Sequence, residues 1–224
     1  MIRHFSPPMD SYLSQRTNKL IVSFHTKKEQ ATKQKITLSV MKLKCVFLGD
    51  SEVGKTWIIT TFITGENPND QMPTIFDSFT CNIDLKGQNV DLSLWDTAGE
   101  LKYDRIRQLS YPNTDMFFIC YAINNVASFN NVKHWLNEIK ELEIPAILVA
   151  TKYDVRDDYT QQDIVTTEMG KKMAKEHNFV DFVETSALER RNLYLLFEKA
   201  IDHKMKKDKT FIRLMFEYLC WCCV

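Results

Sequence analysis

The octapeptide from Gly49 to Thr56, GDSEVGKT, has the residue types and spacing needed to hold phosphate groups. It matches the pattern GxxxxGK[ST] and follows the apolar run 45–48, as a phosphate-binding loop between a strand and a helix does. The glycines let backbone N–H groups curl around phosphate oxygens at the positive end of the next helix. Lys55 then supplies positive charge to the outer phosphates, and the Thr56 hydroxyl is a ligand for Mg²⁺. An ordinary glycine-bearing turn is the alternative.

Three more motifs each close a predicted strand. In WDTAG, which begins at Trp95, Asp96 is placed to hold Mg²⁺ through water and the Gly99 N–H to contact a γ-phosphate. In TKYD, which begins at Thr151, the Asp154 carboxylate can accept the N1 and N2 hydrogens of guanine while the Lys152 stem covers the base. A Lys-x-x-Asp pattern that occurs alone usually lies in a solvated loop without a binding role. Four motifs in this order, ending with Thr185-Ser186-Ala187 and its amides for guanine O6, predict a guanine-nucleotide site instead.

The elements that must position these motifs alternate between strand and helix. Short β-branched and aromatic runs predict strands, with Lys86-Gly87-Gln88-Asn89 as the turn of one hairpin. The predicted strands are Leu43–Leu48, Thr80–Leu85, Val90–Trp95, Met116–Ala122, Ala146–Ala150 and Phe182–Thr185.

Helical periodicity predicts four helices: Lys55–Thr64 stopped by Gly65, one with Phe129, Val132, Leu136 and Ile139 on one face, Glu168–His177, and Leu193–Met205. This order predicts an α/β fold, the three-layer α/β/α sandwich of P-loop NTPases. Its six-stranded sheet is mostly parallel with one antiparallel edge strand. Ligands of such sheets bind beyond the carboxyl ends of the strands.

Composition limits the setting of this site. The 224 residues carry 29 basic and 29 acidic side chains, so no overall field attracts nucleic acid. The chain has no run of about 18 uncharged apolar residues, which argues against a membrane span. Three cysteines lie in strand-like runs and three near the C-terminus, a spacing that does not suggest a disulfide framework, so a reducing cytoplasmic environment is expected.

On these motifs, the segment from about Met41 to Lys206 resembles a small GTPase of the Ras superfamily, and within it the Rho branch. The Rho-like features are Pro73-Thr74-Ile75-Phe76-Asp77, Tyr103-Asp104-Arg105, Leu109-Ser110-Tyr111-Pro112, Thr151 and Arg156-Asp157-Asp158. The resemblance implies a monomeric GTP/GDP switch in signalling, acting on the actin cytoskeleton or membrane traffic, with Mg²⁺ as cofactor. Its partners would be effectors, exchange factors, activating proteins or a dissociation inhibitor.

The resemblance also assigns roles residue by residue. Catalytic roles fall to Glu100, Lys55 and Thr74, and metal ligation to Thr56, Thr74 and Asp96. The effector face would include Pro73, Ile75, Phe76 and Asp77. The nucleotide-binding set is Gly49, Asp50, Ser51, Glu52, Val53, Gly54, Lys55, Thr56, Trp57, Thr74, Asp96, Gly99, Thr151, Lys152, Asp154, Ser186 and Ala187.

Two departures from the family pattern predict weak catalysis. Ser51 replaces the usual glycine and points toward the space needed by the attacking water and an arginine finger. Glu100 replaces the usual glutamine, so it loses the amide donor and adds a charge that repels the γ-phosphate. The alternative is that both are tolerated substitutions in a working GTPase, with Glu100 still aligning water.

Other departures concern nucleotide release and partners. Asn67 stands where an aromatic ring usually contacts guanine, and Gln71 where a tyrosine covers the phosphates, which predicts faster release. The segment from Asp158 to Lys171 is shorter than in typical Rho proteins, so the extra insert helix is expected to be reduced or missing.

The two ends are predicted to lie outside the domain. Residues 1–40 read as a mobile basic extension, with a mitochondrial transit peptide or a translation start at Met41 as alternatives. Residues 207–224 read as a membrane-targeting tail, basic and then apolar, that would hold the protein on the cytosolic face of a membrane. Cys222 and Cys223 resemble the doubly prenylated ending of Rab proteins, whereas an unmodified tail packing on protein is the alternative. The sequence thus supports two function hypotheses: a GTPase that cycles slowly, and an effector-binding module that stays bound to GTP with negligible turnover. A P-loop kinase or ATPase is a distant third hypothesis, which Asp154 disfavours.

Overall fold

The computed structural model describes residues 40–68, 76–85, 87–157 and 163–221, with side chains through Lys209. The predicted basic extension before residue 41 and the predicted short insert after Asp158 fall mainly outside these ranges, so both stay predictions.

The centre of the molecule is a six-stranded sheet in the order β2-β3-β1-β4-β5-β6. All neighbouring strands pair in parallel except β2 and β3, which form an antiparallel hairpin at one edge. This confirms the predicted sandwich with its antiparallel edge strand. The strands are β1 Met41–Leu48, β2 Phe76–Leu85, β3 Gln88–Thr97, β4 Met116–Ala122, β5 Ala146–Thr151 and β6 Asp181–Glu184.

Helices cover both faces of this sheet. Within the described ranges they are α1 Lys55–Thr64, α2 Asp104–Gln108, α3 Val126–Asn130, α4 Val132–Ile139, α5 Thr167–Glu176 and α6 Leu193–Trp221. Single 3₁₀ turns lie at Leu101–Tyr103, Lys140–Leu142 and Tyr153–Asp157.

Alternation along β1 explains why there are two cores. Cys45 and Phe47 pack in one buried cluster with residues of α1 and α6, whereas Val46 and Leu48 pack in a second with residues of α3, α4 and α5. Successive side chains of a strand point to opposite faces, so a strand that is apolar throughout must be covered on both sides. The two cores hold the sheet in place from both sides. The loops after β1, β3, β5 and β6 meet at the end of the sheet formed by the carboxyl ends of these strands.

The predicted elements differ from the observed ones mainly at their ends. The hairpin strands are longer than predicted, and β6 begins and ends one residue earlier than Phe182–Thr185. The helix expected to run through 129–139 is two helices, α3 and α4, separated at Asn131. The helix predicted to stop at Met205 continues to Trp221, because the chain from Lys206 onward has no glycine or proline to end it.

Candidate functional site

The loop between β1 and α1 has the backbone shape that phosphate binding requires. Gly49 has φ +141°, and a Cβ there would lie 2.3 Å from the carbonyl oxygen of Cys120 on β4. Gly54 has φ +98° and precedes α1 without a side-chain cap. With no side-chain cap, the N-terminus of α1 presents the positive end of its dipole at the cleft that Gly54, Lys55 and Thr56 line, where an anionic ligand is favoured. Gly49 is therefore required by backbone shape and by close packing, and Gly54 by backbone shape.

Lys55 lies within this loop. It is 6% exposed, and its Nζ donates to the carbonyl oxygens of Gly49 (2.8 Å) and Asp50 (2.7 Å). Burial lowers the pKa of Lys55, while the nearby carboxylates of Asp96 and Asp50 act in the opposite direction. An ammonium held by carbonyls at the positive end of a helix is suited to neutralising phosphate oxygens.

Thr56 and Asp96 form the metal part of the site. The Thr56 hydroxyl donates to Asp96 Oδ2 at 2.5 Å, and Asp96 is 1% exposed at the end of β3. A hydroxyl and a carboxylate are hard oxygen ligands of the kind Mg²⁺ takes beside phosphate oxygens. The described residues contain no group of three or more His, Cys, Asp or Glu side chains arranged for a metal. The donor set thus fits Mg²⁺ held jointly by protein and nucleotide, and does not fit an all-protein metal cage.

The base-side residues meet at the ends of β5 and β6. Ser186 is fully buried, and its hydroxyl donates to Asp154 Oδ1 at 2.5 Å. The Thr151 hydroxyl lies within bonding distance of the Val53 carbonyl in the phosphate loop and of the Tyr121 carbonyl at 3.1 Å. Thr151 therefore ties the base motif to the phosphate loop.

A cleft of 590 Å³ joins the two halves of the site. Its lining includes Ser51, Glu52, Gly54, Lys55, Thr56, Trp57, Gly99, Glu100, Thr151, Lys152, Asp154 and Ala187 from the predicted set. Asp96, Val53 and Ser186 are buried beneath it. Ile58, Thr97, Ala98 and Leu188 also line the cleft and were not in the predicted set. Thr97 and Ala98 belong to the WDTAG motif, and Ile58 and Leu188 directly follow predicted site residues in sequence, so position in the sequence is the signal that could have found all four.

The segment after β3 lies directly against the phosphate loop. A Cβ on Gly99 would lie 2.2 Å from the backbone of Asp50 and Ser51, so only glycine fits there. The next residue, Glu100, pairs with Lys102 at 2.5 Å, with its side chain 41% exposed. Ser51 is exposed at the mouth of the same cleft. The two unusual residues thus lie on the side where a γ-phosphate would be.

A buried arginine, which sequence reasoning missed, organises that segment. Arg107 is 1% exposed and donates to the Ala98 carbonyl (3.0 Å) and to Glu138 of α4 (3.0 Å). The Tyr111 hydroxyl donates to the same Glu138 carboxylate at 2.5 Å, and burial raises the pKa of Tyr111. An arginine in a short polar helix carries no sequence signal that distinguishes it from an exposed one.

Asn67 makes polar contacts where an aromatic ring is usual. Its Nδ2 donates to the Leu188 carbonyl at 3.1 Å, and its Oδ1 accepts from the Thr61 hydroxyl at 3.3 Å. Since Leu188 follows Ala187, this amide links the end of α1 to the loop expected to meet the base.

Some predicted site residues lie outside the described ranges: Pro73, Thr74, Ile75, Gln71, Cys222 and Cys223. Phe76 and Asp77 begin β2, with Phe76 36% exposed and its ring 5.2 Å from that of Trp95.

Comparison with known proteins agrees with this geometry. The Ras family profile matches residues 44–206. The chain is 43% identical over 178 residues to the Ras-like GTP-binding protein RhoL of Drosophila melanogaster, an alignment covering 78% of this chain and 93% of that protein.

Proposed function

The chain belongs to the Ras family of small GTP-binding proteins, and on that basis we propose that it is a Rho-like GTP/GDP switch with slow GTP hydrolysis. The observation that carries the proposal is the single cleft lined by Lys55, Thr56 and Asp154, in which Thr56 is hydrogen-bonded to the buried Asp96 and Asp154 to the buried Ser186. These groups would hold, in order, the phosphates, Mg²⁺ and the guanine base.

The proposal that GTP hydrolysis is slow depends on Ser51 and Glu100. Hydrolysis needs a water placed in line with the γ-phosphate and donors for the charge that develops there. Glu100 offers an acceptor without a donor, and a serine side chain at 51 takes room beside it. An arginine finger is worth about 10³ to 10⁵ in rate, so obstruction by Ser51 alone would leave the protein in its GTP form for long periods.

A second candidate function is an effector-binding module that stays in the GTP state with negligible turnover. The Glu100–Lys102 pair favours the cycling form, since Lys102 offsets the charge of Glu100. That pair is half-exposed and screened by water, so the offset is partial.

The test is the nucleotide carried by the purified protein, followed by single-turnover hydrolysis of GTP. The proposal expects guanine nucleotide in stoichiometric amount and measurable but slow hydrolysis. Ser51→Gly with Glu100→Gln is expected to speed hydrolysis, and an unchanged rate would contradict our account of both residues. Absence of guanine nucleotide affinity in folded protein with Mg²⁺ would overturn the whole proposal.

Membrane attachment is a further part of the proposal. None of the helices in the described part of the chain has the length and apolar content to cross a bilayer. We propose peripheral attachment through the basic residues after Lys204 and prenyl groups on Cys222 and Cys223, with effectors contacting the segment around Phe76 and Asp77. Actin regulation and membrane traffic are the roles that this Rho likeness favours.

A further inference from the structure

Asp50 places a negative charge in a loop that must receive phosphates. A carboxylate so near a polyphosphate opposes binding unless its charge is directed elsewhere. Burial lowers the pKa of the Lys55 ammonium, and Asp50 lies close enough to act against that shift. Its own side chain, however, points to α4, because each carboxylate oxygen accepts a hydrogen bond from that direction.

The two donors come from one side of one helix. Asn131, which immediately precedes α4, donates from Nδ2 to Asp50 Oδ2 at 2.8 Å. Trp135 donates from Nε1 to Asp50 Oδ1, also at 2.8 Å. Residues four apart lie above one another on a helix, so this spacing presents both donors together.

Trp135 is also fixed from its other side. It is 1% exposed in the core, and the Arg107 guanidinium lies 4.7 Å from the centre of its ring. That guanidinium donates to the carbonyls of Ala98 and Glu100, which flank Gly99. Trp135 therefore bonds to the phosphate loop through its N–H, and its ring packs on the arginine that holds the segment around Gly99.

We propose that Asn131 and Trp135 are positioning residues for nucleotide binding: they hold the Asp50 carboxylate away from the phosphates and so set the shape and charge of the phosphate loop. This rests on the proposed function. Without the donors, the carboxylate is free to turn toward the ligand and oppose the charge of Lys55.

A double-mutant cycle tests the proposal on the full-length protein. Dissociation constants for GDP and for a non-hydrolysable GTP analogue, with Mg²⁺, are measured for wild type, Trp135→Phe, Asn131→Ala, Asp50→Ala and the two doubles containing Asp50→Ala. Each of these hydrogen bonds is made to a charged group, so each single donor variant is expected to weaken binding about tenfold. In the Asp50→Ala background each is expected to change binding less than about twofold, because the charge that the donors direct is gone.

A merely structural role for Trp135 would weaken binding equally in both backgrounds, and that result overturns the proposal. Unchanged affinity in Asn131→Ala overturns it as well. Since Asn131 is exposed, the Asn131→Ala variants test the proposal even if Trp135→Phe fails to fold. Lys133→Ala, an exposed change on the same helix, is the matched control and keeps wild-type affinity. Failure of the proposed function gives a different result from failure of this inference, because the wild-type protein itself would then bind neither nucleotide.

Discussion

At the scale of single residues, Lys55 and Thr56 make the sharpest prediction. Lys55→Ala removes the ammonium held between two loop carbonyls, and Thr56→Asn replaces the hydroxyl bonded to Asp96. Each is expected to abolish GTP–Mg²⁺ binding, measured by calorimetry. Lys42→Ala, an exposed lysine on β1, is the control and keeps affinity. Retained affinity in Lys55→Ala would contradict the assignment of the loop.

Asn67 makes a prediction about release. Asn67→Phe restores a ring beside the base, and base-on-aromatic contacts are worth about 1–3 kcal/mol, so dissociation of GDP is expected to slow about tenfold or more. Asn67→Ala breaks the bond to the Leu188 carbonyl and is expected to speed it. The dissociation rate of each variant is measured by displacing a bound fluorescent GDP analogue with excess unlabelled nucleotide. Equal rates in all three proteins would show that position 67 does not control release.

What the sequence predicts about the site depends on whether a residue acts within its own motif. Lys55, Thr56 and Asp154 were found because each lies at a fixed place in a short pattern. Arg107 with Glu138, and Asp50 with Trp135, are pairs brought together over 31 and 85 residues of chain. No local pattern carries such a pairing, because packing of α4 against the sheet creates it.

At the scale of elements, the six strands and most of the helices followed from periodicity, whereas the short α2, the break at Asn131 and the ends of the elements did not. The hairpin strands run past their predicted bounds because antiparallel pairing continues from Leu85↔Gln88 to Phe76↔Thr97 through polar residues. Likewise α6 passes Met205, since helix propagation adds one bond per residue until a stop signal intervenes.

Gly170 in α5 makes the prediction at this scale. A Cβ there would lie 2.4 Å from the Phe182 ring and 2.7 Å from the Tyr121 hydroxyl. Alanine is the better helix former by about 1 kcal/mol, but overpacking costs about 1–3 kcal/mol, so Gly170→Ala is expected to destabilise the fold. Urea unfolding measures the change. The exposed Lys171→Ala on the same helix is the control, and a stabilised Gly170→Ala would contradict the close packing.

At the scale of the whole molecule, charge is balanced overall and unevenly placed. The 29 basic and 29 acidic residues cancel in number. Four lysines nevertheless lie close together on α6, around residue 206 where the match to the family profile ends: Lys204, Lys206, Lys207 and Lys209. The match to the family profile ends at residue 206, so we expect membrane attachment to depend on the residues that follow and not on the nucleotide site.

Vesicle binding tests this separation. Basic residues near an anionic leaflet contribute about 1 kcal/mol each, so Lys207→Ala with Lys209→Ala is expected to weaken binding to phosphatidylserine-containing vesicles about tenfold or more at low salt. Both side chains are exposed, so nucleotide affinity should not change. Lys133→Ala with Lys171→Ala removes the same charge from the domain and is expected to leave vesicle binding intact. Equal loss in both double variants would mean that overall charge, and not the tail, draws the protein to the membrane. Binding that is the same for neutral vesicles would mean that the apolar residues after Lys209 act without the basic ones.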